Sequence, residues 1–269
     1  MLLTDKFVYI HYPKTGGSFV TNRLFKLHEG TGVQNPTLQR IGKRLGTTWG
    51  GLIDTAKEGL QHNTCREIPF GFRHKPIVST IRNPYDRYVS GYMYGWWKRY
   101  PEQFAGDVEA VSKAYPNYPD LSFDDYVRIS NDFNAFQKIS TPHLNPDNPI
   151  GQRTYETIQF FFKYDPETIF LKLTEDYITS GTYKQDIFPV RFLKMENLNR
   201  ELYDFLVEVG YPSERVKFIL ESEKVLPGMQ PGTIVREDSG WQAYYTPELK
   251  AFVRQRDRLF FQMFPEYDV

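Results

Sequence analysis

The stretch that decides the fold is FVYIHYPKTGGSFVTNRLFKL, residues 7–27. The run KFVYIHY (6–12) is β-rich and stops at Pro13. Two glycines follow at 16 and 17. Val20, Leu24 and Leu27 then recur at helical spacing until Gly30. Strand, glycine loop and helix in this order bring unpaired N–H groups and a positive dipole end to one place, which suits an anion. The order within the loop is unusual. Nucleotide loops read G-x-x-x-x-G-K-[ST], whereas Lys14 here precedes Gly16 and Gly17, and Ser18 follows them. Alone, PKTGGS reads either as an anion cradle, with Thr15 and Ser18 adding hydroxyl donors, or as a turn with a solvated lysine.

A second unit of the same kind is KPIVSTIRNPYDRYVSGYMYGWWKRY, residues 75–100. Ile77–Ile81 reads as a buried strand, Asn83-Pro84 as a break, and Tyr85 to about Arg99 as a helix. Arg82 stands at the strand's C-terminal end, where α/β sheets bind ligands. Ser90 lies in the helix, and Arg87 shares its face. Arginine forks suit phosphate; the competing reading pairs Arg87 with Asp86 or Asp125 and makes Ser90 a packing residue.

Further along, Ser122–Asp125 resembles a capping box opening a helix to about Ile139, and residues 140–151 read as a Pro/Asn-rich loop. FPVRFLKME (188–196) reads as a strand. Leu198, Leu202, Phe205, Leu206 and Val209 form one helical stripe before Gly210. A glycine- and proline-containing segment covers 226–240, and a last helix runs from Thr246-Pro247 to about Phe264. Strands alternating with helices predict a three-layer α/β fold with a central parallel sheet in a single domain, 1–269.

Composition sets limits. Lys+Arg and Asp+Glu balance at 33 each, so no global field draws nucleic acid or anionic lipid. The single cysteine, Cys65, excludes an intrachain disulfide framework and a multi-cysteine zinc site. MLLTDKFVYI lacks a signal-peptide pattern, and no apolar run reaches the roughly 18 residues of a membrane span. The expectation is a cytoplasmic protein. No metal is expected, because the loop lacks the lysine-then-hydroxyl pair that places magnesium.

Together the two motifs resemble a known family. IHYPKTGGSF is similar to the 5′-phosphosulfate loop of sulfotransferases that use 3′-phosphoadenosine 5′-phosphosulfate (PAPS). It is closest to the HIPKTGGTS form of glycan 2-O- and chondroitin-type sulfotransferases and their bacterial relatives. IRNPYDRYVSGY resembles that family's 3′-phosphate motif, R-[DN]-P-x-x-R-x-x-S-x-Y. FLKMENL (192–198) and VREDSGWQAYYTPEL are looser echoes of its later segments. The resemblance implies a P-loop NTPase-like architecture and transfer of a sulfuryl group from PAPS to an acceptor hydroxyl, with PAP as product. The acceptor it implies is a carbohydrate. Lys14, Thr15, Gly16, Gly17, Ser18 and Phe19 would hold the 5′-phosphosulfate; Arg82 and Ser90 would hold the 3′-phosphate. Arg236 would add to the latter, although Glu237-Asp238 depart from the family's pattern.

Transfer needs a base for the acceptor hydroxyl, and histidine suits that work. Of five histidines, the resemblance points to His62 in LQHNTCREI (60–68), at the distance of the family's catalytic histidine before the 77–81 strand. Glu67 is the alternative base, but Thr64-Cys-Arg-Glu67 is also a capping box that ties the carboxylate to a helix start. Tyr92, Tyr94, Trp96, Trp97 and Tyr100 read equally as stacking platforms or core, and His143 marks the 140–150 loop as a candidate acceptor rim. Two other classes compete: a P-loop kinase or NTPase, which needs G-K-[ST] and a magnesium-binding acid, and a non-catalytic nucleotide- or glycan-binding module.

Overall fold

The computed structural model describes residues 1–58, 62–105, 107–132, 150–223 and 240–269. The chain divides into two compact units, Met1–Arg82 with Ile187–Pro227 and Asn83–Asp186 with Gly228–Val269.

The first unit holds the sheet. Strands β1 (Leu2–Thr4), β2 (Val8–Ile10), β3 (Leu52–Asp54), β4 (Ile77–Ile81) and β5 (Val190–Lys194) lie in the order β3-β1-β2-β4-β5. β2, β4 and β5 are parallel, with Ile10 opposite Ser79 and Ile81 opposite Lys194. β1 runs antiparallel to both β2 and β3. The central sheet expected to be parallel is therefore mixed. Its reason is local: only Asp5, Lys6 and Phe7 join β1 to β2, too short for a parallel crossover but enough for a hairpin. The Thr4 N–H donates to the Phe7 carbonyl at 3.0 Å to close it.

Helices Gly17–Leu27 and Leu198–Glu208 cover one face of this sheet. Phe19, Val20, Leu24 and Leu27 from the first, and Leu198, Leu202, Phe205 and Leu206 from the second, pack with Phe7, Tyr9, Val78 and Leu193. Each large side chain so buried contributes about 1.5–3 kcal/mol. The stripe read at 198–206 is this buried face; Val209 packs at its edge, and Gly210 at φ 86° turns the chain out of the helix.

The second unit is helical. Asn83 caps helix Pro84–Tyr94 by accepting from the Tyr85 N–H at 2.9 Å and the Asp86 N–H at 3.4 Å. The expected continuous helix to Arg99 is broken, because Gly95 adopts φ 66° and a separate short helix, Trp96–Arg99, follows it. The capping-box helix is described as Phe123–Asp132, with the Asp125 N–H donating to Ser122 Oγ at 3.1 Å. Thr246 caps helix Pro247–Arg256 as read, but Asp257 interrupts the expected single helix before Arg258–Met263.

Asp257 is buried at a junction. Its carboxylate accepts from the Tyr88 hydroxyl and the Thr154 N–H, each at 2.8 Å, and a Cβ on Gly151 would stand 2.2 Å from Oδ1. Burial raises this carboxyl from 3.8 to about 6. The folded chain thus holds a proton between those values that the unfolded chain releases, so this group favours folding at low pH and loses that contribution as pH rises through 6. The span corresponds to about 2–3 kcal/mol. Asp257→Asn is expected to flatten the dependence of melting temperature on pH between about 4 and 7; parallel wild-type and variant curves would exclude the assignment.

Candidate active site

β2 ends at Ile10, and helix Gly17–Leu27 begins seven positions later. The loop between them carries two left-handed residues, Lys14 at φ 62° and Gly16 at φ 93°. For a lysine that conformation costs about 1–2 kcal/mol, a form of local strain that gathers at ligand clamps. Gly16 accepts from the N–H groups of Phe19 and Val20 at 3.0 and 3.3 Å. The N–H groups of Gly17 and Ser18, in the helix's first turn, have no helical acceptor by construction. No acid occupies that turn, so the dipole end is uncompensated where an anion would dock. Ser18 is exposed at this point and Lys14 half-buried.

Both glycines are required by contact. A Cβ on Gly16 would lie 2.7 Å from Leu198 Cδ2 and 3.5 Å from Met195, which brings the segment after β5 against the loop. A Cβ on Gly17 would lie 2.4 Å from Nε2 and Cδ2 of His11. The histidine ring thus rests on the start of the helix.

The neighbouring strand supplies the next parts. Thr15 is fully buried, and its hydroxyl donates to the Tyr12 carbonyl at 2.8 Å and lies 2.7 Å from Thr80 Oγ1. Its hydroxyl therefore ties the loop to β4, a role distinct from the ligand donor read in the sequence. Ser79 Oγ donates to the Ile10 carbonyl at 2.8 Å. Arg82, nearly buried just past β4, donates from a guanidinium nitrogen to the Lys14 carbonyl at 3.4 Å. Phe19 sends its ring into the core, so it anchors the loop from behind.

His62 is exposed, with Nδ1 3.5 Å from the His11 carbonyl oxygen. The two imidazoles meet edge to face, 5.4 Å between centroids at 89°. Burial, aided by repulsion from His62, lowers His11 from 6.5 to about 4, so it is neutral near pH 7 and a weak proton acceptor. The resemblance pointed to His62 and not to His11; the signal for His11 was its place two residues before the PKTGG loop. Glu67 is held as read. Its Oε2 accepts from the Thr64 N–H at 2.6 Å in a complete capping box. Cys65 is buried and its thiol is pushed well up by burial, so it offers no thiolate.

In the second unit, Ser90 is half-buried on helix Pro84–Tyr94. Arg87 on the same helix is buried and pairs with Glu156 at 2.7 Å, which also receives Arg153 at 2.9 Å. Tyr92 and Trp97 stack at 5.4 Å and pack with Tyr126; Trp97 is core and Tyr92 half-buried. Trp96 and Tyr100 meet each other at 5.5 Å. Arg236, Glu237, Asp238 and His143 lie outside the described residues.

The family model Sulfotransfer_2, described as "Sulfotransferase family", matches residues 3–175, a span of 173 of the 269 residues. It takes in the glycine loop, both histidines, β4 and the Arg82–Ser90 motif. No curated protein matches the chain.

Proposed function

The chain belongs to the sulfotransferase family, and from that premise we propose that it moves a sulfuryl group from PAPS to a sugar hydroxyl. The observation that carries this reading is the meeting of Arg82 with the Lys14 backbone at the adjacent ends of β2 and β4. Motifs 68 positions apart thereby converge at the strand ends where such sheets take ligands. The residues fit an anionic donor: two left-handed backbones, two glycines that admit no Cβ, and a helix start without an acid. The P-loop-like architecture, one sulfotransferase domain over 1–269 and the glycan acceptor belong to the same proposal, resting on the motif resemblance.

The donor supplies an activated sulfuryl group, whose bond to the 5′-phosphate oxygen breaks as the acceptor oxygen bonds to sulfur. Lys14 and the N–H groups of Gly17 and Ser18 meet the charge that grows on the departing phosphate. His62 takes the acceptor's hydroxyl proton. His11 is the poorer base because burial has lowered its proton affinity, and Glu67 would first have to release its cap. Arg82 binds the 3′-phosphate, with Ser90 and Arg236 in the parts the motif assigns them. Thr15 and Phe19 hold the loop in shape.

Calorimetry with PAP tests this directly. Wild-type chain is expected to bind PAP equally with and without magnesium, and to bind AMP, which lacks the 3′-phosphate, more weakly. Arg82→Ala is expected to weaken PAP about 10–100-fold, as for loss of a charged hydrogen bond, and to weaken AMP less. Magnesium-dependent ATP binding would instead indicate a kinase or NTPase. Nucleotide binding without transfer from radiolabelled PAPS to any of a panel of sugars would indicate a binding module.

A further inference from the structure

Helix Pro36–Leu45 of the first unit carries Leu38, Ile41 and Leu45 on one stripe. All three face solvent, Leu45 at 67% of full exposure. The helix is held from another side. A Cβ on Gly42 would meet the Thr47 carbonyl at 2.4 Å, and one on Gly71 would meet the Gly46 nitrogen at 2.4 Å. The second contact fastens the helix's C-terminal end to the turn Phe70–Phe72. Two more apolar side chains stand out beside it, Trp49 at 45% and Phe70 at 84% exposure. Arg40, Lys43 and Arg44 share the helix, and Pro36–Leu45 contains no acid, although the chain as a whole is charge-balanced.

We propose that this helix, with Trp49 and Phe70, is an interfacial anchor that lies on the surface of an anionic lipid membrane. An apolar stripe beside cations is the pattern that seats a helix in the headgroup region, and an exposed tryptophan suits that boundary. Phe70 projects outward, as insertion between headgroups requires. Charge decides against a second copy of the chain as occupant, since a two-fold contact would set the same three cations against each other. Anionic headgroups complement them, each basic residue near such a surface strengthening binding about fivefold. The anchor is independent of the transfer chemistry proposed above.

The test is co-sedimentation of the full chain with vesicles of phosphatidylcholine alone or mixed with phosphatidylglycerol. Binding is expected to the mixed vesicles only, and to weaken as salt screens the charges. The double variant Arg40→Gln/Arg44→Gln is expected to bind about 25-fold more weakly. Leu45→Ser and Phe70→Ser are expected to reduce binding while their melting temperatures stay at the wild-type value, because both side chains are exposed. Failure of the wild type to bind the mixed vesicles, or wild-type binding by all these variants, overturns the proposal. So does light scattering that finds a dimer which Phe70→Ser dissociates.

Discussion

Lys14→Ala is expected to lower turnover with PAPS by about 10²–10³, equivalent to about 3–4 kcal/mol at the transition state. The side chain is the cation of the loop, placed one residue before buried Thr15 and two before Gly16. Its backbone conformation separates function from folding. Alanine at φ 62° carries the same strain as lysine, so the variant should melt near the wild-type temperature. Lys14→Gly removes that strain and should be at least as stable, by about 1 kcal/mol, yet as slow as the alanine variant. Steady-state rates and melting curves on the three proteins decide the matter. Near-normal turnover in either variant would remove Lys14 from the mechanism.

His62→Ala is expected to cut kcat by about 10²–10⁴, the usual contribution of a general base, with little change in PAP affinity. The exposed ring lies against His11, above the start of the helix that carries Gly17 and Ser18. On the proposed function, the acceptor hydroxyl approaches there. Glu67→Gln is the matched control. Because a glutamine can accept the same Thr64 N–H in the capping box, this variant should melt near the wild-type temperature and keep most of its kcat. If His62→Ala retains more than about a tenth of wild-type activity and Glu67→Gln does not, the roles are reversed.

What could be read from the sequence was what short-range chemistry specifies. The glycine loop, the strand at 77–81, the Asn83-Pro84 break, the Thr64–Glu67 box and the apolar stripe at 198–206 are all encoded within a few residues. β1 and β3 were not legible. Each has three residues, too few to show a period, and each is a strand only because a neighbour pairs with it. The Glu156 partner of Arg87 was not legible for a related reason. A helical arginine three residues from a serine gives no sign that Glu156, far along the chain, will neutralise it. The mixed sheet follows from the same limit, since pairing direction depends on partners as well as on the segment itself.

The sequence by itself carried the motif pattern on which the proposed class of ligand rests. Glycines after a strand and before a helix, with lysine ahead of them and Arg82 at the next strand end, form an anion-binding pattern that needs no tertiary information. The tertiary structure decided how the parts divide the work. It turned the Thr15 hydroxyl inward to Tyr12 and Thr80, set Arg82 against the Lys14 carbonyl, and laid His11 on Gly17 beside His62. Those assignments join residues up to 68 positions apart. They arise from the parallel register of β2 and β4, which sets two strand ends side by side; that register is a property of the assembled sheet, and neither segment alone contains it.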